Sequence, residues 1–256
     1  MEFIKKVFQI QNSKGERLNC SSFEPADEKR PTVLMPVIIY MHGNAGNKLE
    51  GEGYAPLLIQ NGICLVTFDF SGCGNSEGQW VTLGWKEQHD LASVIQHVKG
   101  TGRFSKIGLW GRSMGGATAI FYMASHEGEI SVAIIDSCFS AFSSVVDHIT
   151  EEQMHIPKPF VQMLMTGITV QVQQRTGGMK INELRPVDYA PKCKAPAFFI
   201  HGIEDDFVTM SHTEENFSAY GAESKEVNYC EGDHNEMRDK AVLEEAVKFS
   251  KKFLLD

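Results

Sequence analysis

Short apolar runs bounded by glycine and polar residues recur along this chain and alternate with stretches of helical periodicity. The runs Val37 to Met41, Cys64 to Phe68, Ile107 to Trp110, Val132 to Ile135, Ala197 to Ile200 and Glu226 to Cys230 are predicted strands. They are nearly unbroken in Val, Ile, Leu and Phe, the pattern of parallel strands buried on both faces. Between Glu87 and Lys99, Leu91, Val94, Ile95 and Val98 fall at i, i+3, i+4 and i+7, with Gly100 as a stop signal, which predicts an amphipathic crossover helix. Val242, Ala246, Phe249 and Phe253 line one face of a closing helix, with Glu244, Glu245, Lys248 and Lys252 outside it.

Ahead of the first parallel strand, Phe8 to Asn12 and Arg17 to Phe23 flank Ser13-Lys14-Gly15-Glu16, which reads as an antiparallel hairpin at the leading edge of the sheet. Strands alternating with helices predict an α/β fold: a mostly parallel central sheet of about eight strands with helices on both faces. The rhythm breaks from Phe139 to Lys180, where no core strand is evident and apolar residues sit at Phe160, Val161, Leu164, Met165 and Ile168. This stretch, at about 139–185, reads as a helical, lid-like insertion within one domain spanning 1–256. Its Met154, Met163, Met165 and Met179, with Phe160 and Leu164, suit either an acyl pocket or ordinary packing on the core.

Composition narrows the function. Hydrophobic residues at 42% and charged residues at 22% supply enough apolar surface for an ordered core, so the chain is globular. A net charge of −9 with scattered Lys and Arg excludes a phosphate-neutralising stripe, and nucleic acid with it. No apolar stretch of signal-peptide or membrane-spanning length is present. The six cysteines, Cys20, Cys64, Cys73, Cys138, Cys193 and Cys230, have neither zinc nor C-x-x-C spacing and read as reduced, buried thiols of a cytoplasmic protein. No nucleotide loop, metal site or redox motif stands out, so no cofactor is expected.

The chemistry concentrates at Gly111-Arg112-Ser113-Met114-Gly115-Gly116, which follows a predicted strand and precedes the helix-forming run Ala117 to Ala124. A sharp strand-to-helix turn presents a serine as nucleophile, and the positions two before and two after it must be small. Gly111 and Gly115 meet that need. The helix N-terminus favours a developing negative charge, which makes the Met114 N–H one oxyanion donor. The loop His42-Gly43-Asn44-Ala45-Gly46-Asn47, directly after the first parallel strand, places the second donor at the Asn44 N–H, with His42 structural.

A serine hydroxyl needs a base, and the base needs a carboxylate to orient it. Of nine histidines, His234 alone lies in a short loop, Glu231-Gly232-Asp233-His234-Asn235, between a late strand and the closing helix. His89, His97, His126 and His212 read as solvated, and His201 as packed. The run Glu204-Asp205-Asp206 follows a buried strand and lies on the same edge as the serine. Any of the three could orient an imidazole, and Asp136 is a fourth option.

Taken together, these motifs resemble the α/β-hydrolase superfamily, and within it the serine aminopeptidase-like and dienelactone-hydrolase-like branch of eukaryotic α/β-hydrolase domain proteins. The resemblance rests on His42 to Asn47, on Asp69-Phe70-Ser71-Gly72-Cys73-Gly74-Asn75-Ser76-Glu77-Gly78, on Gly111 to Gly116 and on Gly232-Asp233-His234-Asn235, and it covers nearly the whole chain. A long side chain, often Arg, is frequent in such proteins where Ser71 stands. The resemblance implies an α/β-hydrolase fold and, through the pattern H-G-x-x-D-x-x-V at His201 to Val208, selects Asp205 as the acid. It also implies acyl-transfer chemistry on Ser113 with an acyl or peptide substrate: a carboxylesterase or thioesterase, with a serine peptidase as the alternative and a non-catalytic binding protein as a remote one. A peptidase of this type holds a substrate amine on acidic residues, for which Glu151-Glu152 and Glu214-Glu215 are candidates.

Overall fold

A computed structural model of the chain describes residues 2–255. The strands are β1 (Phe3–Gln11), β2 (Arg17–Pro25), β3 (Met35–Met41), β4 (Cys64–Phe68), β5 (Phe104–Arg112), β6 (Val132–Asp136), β7 (Ala197–Gly202) and β8 (Lys225–Cys230). All eight join one sheet in the order β1-β2-β4-β3-β5-β6-β7-β8. The leading hairpin turns at Gly15, whose φ of +78° suits a residue without Cβ. It pairs β1 with β2 antiparallel, and β2 in turn pairs antiparallel with β4. From β4 onward every pairing is parallel. The sequence reading placed all eight strands. It set several of them short, β5 most of all, because Phe104, Ser105 and Lys106 lie where the strand emerges from the core and are only partly covered.

Strand alternation divides the core in two. Val37, Ile39 and Met41 belong to one cluster, which also takes in Leu91, Val94, Ile95 and Val98 of α3 (Glu87–Gly100) and most of α4 (Met114–Met123). Ile38 and Tyr40 point the other way, into a cluster with Leu58 of α2 (Ala55–Gln60) and Val242, Ala246 and Phe249 of α9 (Lys240–Leu254). Helices thus cover both faces, and each fully buried side chain of this size stabilises the fold by about 1.5–3 kcal/mol. All ten residues of α4 are buried, as expected of a helix apolar around its whole circumference.

The segment 139–185 is helical: α5 (Phe142–His148) runs into a π-helical turn (Ile149–Gln153), followed by α6 (Lys158–Thr176). Val161 and Thr176 of α6 are buried and Met165 and Val172 partly so, forming one stripe, whereas Phe160, Met163 and Leu164 are exposed by more than 60%. Among the described residues, no helix is long and apolar enough to cross a membrane. Short helices α1 (Leu49–Glu52) and α7 (Pro186–Tyr189), with α8 (Met210–Ala219), complete the set used below.

Candidate active site

The parallel strands β3, β5, β7 and β8 all end on one edge, and the loop after each brings one part of the site. β5 delivers Ser113, which caps α4 with φ +51° and ψ −112°, a backbone conformation costly to a non-glycine residue and typical of functional turns. Close approach by the neighbouring backbone is what holds it there. A Cβ on Gly111 would strike the carbonyl group of Gly115, and one on Gly115 would strike the Met41 carbonyl at the end of β3. The Ser113 N–H donates to the Asp136 carbonyl at 2.8 Å, fastening the turn to β6.

His234 Nε2 lies 3.1 Å from Ser113 Oγ, and His234 Nδ1 lies 2.6 Å from Asp205 Oδ2. Burial is the largest single influence on Asp205 and opposes its charge, but the hydrogen bond and charge of His234, the Val208 N–H and the charge of His201 together outweigh it, and the carboxyl ends below its ordinary value. It is therefore ionised at neutral pH and acceptor-only, so Nδ1–H of His234 donates to it. Nε2 is left to accept the Ser113 hydroxyl proton. The other Asp205 oxygen accepts the N–H groups of Phe207 and Val208 at 3.1 and 2.8 Å, which fixes the carboxylate's plane. The ring of Phe207 leans on that of His234, with centroids 5.0 Å apart.

The other three carboxylates have different surroundings. Glu204 accepts the Gly232 N–H and so holds the His234 loop. Asp206 is exposed, and its carbonyl lies 3.0 Å from His148 Nε2 of α5. Asp136 is buried against Arg238, at 3.0 Å from both Nε and Nη2. Main-chain bonds from Ile203 to Cys230 and from Glu204 to Gly232 lace the acid loop directly to the histidine loop.

Ser113 and His234 open onto a cavity of about 720 Å³, whose wall includes Gly43, Asn44, Tyr54, Phe207 and Met237. Asn44 therefore sits across the same cavity as Ser113, and a Cβ on Gly43 would lie 3.8 Å from that of Ser113. Met114 is the first residue of α4 and is fully buried. The loop carrying Asn44 is held from below: Lys48 N–H donates to Asp69 at 2.7 Å and Phe70 N–H donates to His42 Nε2 at 3.2 Å.

The family model for X-Pro dipeptidyl-peptidase (S15 family) matches residues 14–183. The chain belongs to that family, within the α/β-hydrolases. It is a serine hydrolase. Among curated relatives, the uncharacterized protein YqkD of Bacillus subtilis is 28% identical over 82% of this chain, and the α/β-hydrolase domain-containing protein WAV2 of Arabidopsis thaliana is 23% identical over 90%. The chain spans 66% and 71% of the length of those two proteins. Among solved structures, the esterase Pf2001 of Pyrococcus furiosus superposes with a TM-score of 0.76 at 18% identity, covering 98% of this chain and 94% of that one. Est1E of Butyrivibrio proteoclasticus, solved with ferulic acid, gives 0.70 at 20% identity, covering 97% and 98%. These likenesses are of fold.

In this S15-family hydrolase, two arginines that the sequence reading passed over set the histidine loop. Arg112 donates to the carbonyls of His234 and Glu236, both at 2.6 Å. Arg238 bridges Asp136, Ser137 Oγ and the Asp233 carbonyl. The position of Arg112 beside the serine was a signal within reach. Arg238 had none, since the side chains it pairs with, Asp136 and Ser137, lie about a hundred residues away in sequence.

The remaining histidines separate by burial. His42 donates from Nδ1 to its neighbour's carbonyl and is fully buried, a structural role as expected. His201 is packed behind Asp205, donating from Nε2 to the Val208 carbonyl at 2.8 Å and accepting from Thr213 Oγ1 at Nδ1. His212 corrects the sequence reading: expected in solvent, it is 5% exposed and bonded to Ser140, because α8 turns that face onto the loop after β6. Glu151-Glu152 and Glu214-Glu215 do not line the cavity, and neither do the methionines of the 139–185 segment. Ser71 is absorbed by a largely buried network with Asn12, Glu16 and Asp90.

Proposed function

We propose that this hydrolase cleaves a carboxylic ester or thioester through an acyl-enzyme on Ser113. His234 acts as the base and Asp205 holds its tautomer. The observation that carries the reading is the Ser113–His234–Asp205 line of hydrogen bonds, 3.1 and 2.6 Å long, set at the N-terminus of α4 and open to a cavity. In the first half-reaction Ser113 Oγ attacks the acyl carbon while His234 Nε2 takes its proton. The negative oxygen formed is stabilised by the N–H groups of Met114 and Asn44. The intermediate collapses, expelling the alcohol or thiol, which receives the proton from His234. Water then repeats the sequence and frees Ser113. No step calls for a cofactor or metal.

The wall of the cavity is mixed, with Leu49, Phe207 and Met237 beside polar groups, which suits a small acyl substrate. Solved neighbours named as esterases support the ester reading. The peptidase activity for which the family is named supports the second reading, a serine peptidase using the same three residues. The segment 139–185 lies outside the wall of the cavity and meets the acid loop beside it, where His148 contacts the Asp206 carbonyl. Six free, buried cysteines fit a reducing, cytoplasmic setting. A panel of p-nitrophenyl esters of rising chain length, run beside aminoacyl-naphthylamides, separates the two. Turnover of the esters with the amides inert supports the esterase; the reverse establishes the peptidase.

A further inference from the structure

Glu50 stands in the wall of the Ser113 cavity, and neither of the roles above uses it. Its side chain is fixed. Oε1 accepts the hydroxyl of Tyr40 at 2.6 Å, and Tyr40 is 1% exposed on β3, so the anchor cannot swing. Burial, and then the charge of Glu50, push the Tyr40 hydroxyl well above its ordinary pKa, so it remains a donor. Oε2 reaches only the Gly43 N–H, at a long 3.4 Å. Gly43 is the residue whose Cβ would lie 3.8 Å from that of Ser113. Among the described residues no cation lies within ion-pairing distance of Glu50, although Glu52, in the same short helix, is paired to Lys5.

The carboxylates of the wall outnumber its cations. Its other carboxylates are Asp206 and Asp233, and its one cation, Arg112, is 6% exposed and donates to the carbonyls of the histidine loop. A cleft lined by one sign of charge concentrates the opposite sign. A carboxylate held beside the site where an oxyanion forms works against that oxyanion unless a positive charge offsets it. Arg112 feels the charge of Glu50 but spends its donors on the histidine loop, so a positive group of the substrate is the remaining way to offset it.

We infer that Glu50 is a specificity-determining residue that selects substrates carrying a positive charge, an ammonium or guanidinium, close to the scissile acyl bond. This rests on Ser113 being the nucleophile. The test compares matched substrates. On the acyl side, 6-aminohexanoyl is set against heptanoyl p-nitrophenyl ester; on the leaving side, butyrylthiocholine is set against its uncharged 3,3-dimethylbutyl thioester. In the wild type the charged member of at least one pair has the higher kcat/KM. Glu50→Gln lowers that charged-to-neutral ratio about tenfold, and Tyr40→Phe, which frees the carboxylate without removing it, lowers it by less. A purely structural role would depress both members equally. An unchanged ratio in Glu50→Gln, or no preference in the wild type, overturns the inference; should Glu50→Gln not fold, an unchanged ratio in Tyr40→Phe overturns it. Fluorophosphonate labelling of the wild type runs alongside: absence of label at Ser113 removes the nucleophile reading, and this inference falls with it.

Discussion

Arg112 donates to the main-chain carbonyl of His234 at 2.6 Å, tying the residue before Ser113 to the residue that faces it across 122 positions of chain. The same nitrogen reaches the Glu236 carbonyl, so a single guanidinium sets the height of the histidine loop above the serine.

Arg112→Ala would leave two carbonyls without this donor and let the loop drift, with a stability loss of about 1–3 kcal/mol. The expected kinetic result is a fall in kcat of about a hundredfold with KM nearly unchanged, because a displacement of about 1 Å misaligns the base without emptying the cavity. Arg112→Lys, which offers a point charge instead of a planar fork, recovers only part of it. Steady-state kinetics on a short p-nitrophenyl ester check this. An equal loss in KM would place Arg112 in substrate binding instead.

The neighbouring carboxylates separate cleanly under substitution. Asp205→Asn is expected to lower kcat by about 10⁴, since an amide can present its N–H to His234 Nδ1 and favour the wrong tautomer. Asp206→Asn, on an exposed side chain, should stay within about threefold of wild type. Comparable losses in both variants would mean that the loop as a whole, not one carboxylate, orients the base.

The strands were legible because burial on both faces writes an unbroken apolar run. The serine turn was legible because its strain demands Gly111 and Gly115. Asp205 was not separable from Glu204 and Asp206 by residue chemistry, and family resemblance singled it out. What separates them in space is which one the loop turns inward: Asp205 is 5% exposed and the other two are exposed. Arg238 and Glu50 were missed for a common reason. Each lies off the sheet and acts through a partner on a strand, Tyr40 for Glu50 and Asp136 for Arg238, and such a pairing exists only once the sheet has formed. The insertion was legible as helical, but periodicity does not say which stripe faces inward. The stripe at Val161, Met165 and Val172 packs, leaving Phe160 and Met163 outside the cavity.

Acid should destabilise this protein before its carboxylates titrate. Burial holds His42, His201 and His212 below the ordinary imidazole value, although Asp205 and Asp136 beside His201 pull it back upward, against Arg238. In the unfolded chain these groups take up protons near pH 6.5, while the folded chain still excludes them. The unfolded state then binds more protons, so stability falls as pH drops below about 6.5 and levels off once the folded values are reached. Asp205, depressed by its bond to His234, adds a second loss only below about pH 4, where the unfolded carboxyl protonates first. Urea midpoints at pH 7.5 and 5.5 check the first window. The midpoint should be lower at 5.5, and His201→Gln should shrink the difference; equal midpoints would mean that these imidazoles are not buried neutral.

The central claim is that Ser113 is the nucleophile, and Ser113→Ala tests it most directly. The variant removes one oxygen from a turn whose backbone stays in place, so its circular dichroism and urea midpoint should match those of the wild type. Fluorophosphonate labelling should vanish, and turnover of a short p-nitrophenyl ester should fall by about 10⁴ or more. A folded Ser113→Ala protein that still takes the label and turns over the ester at the wild-type rate would contradict the account.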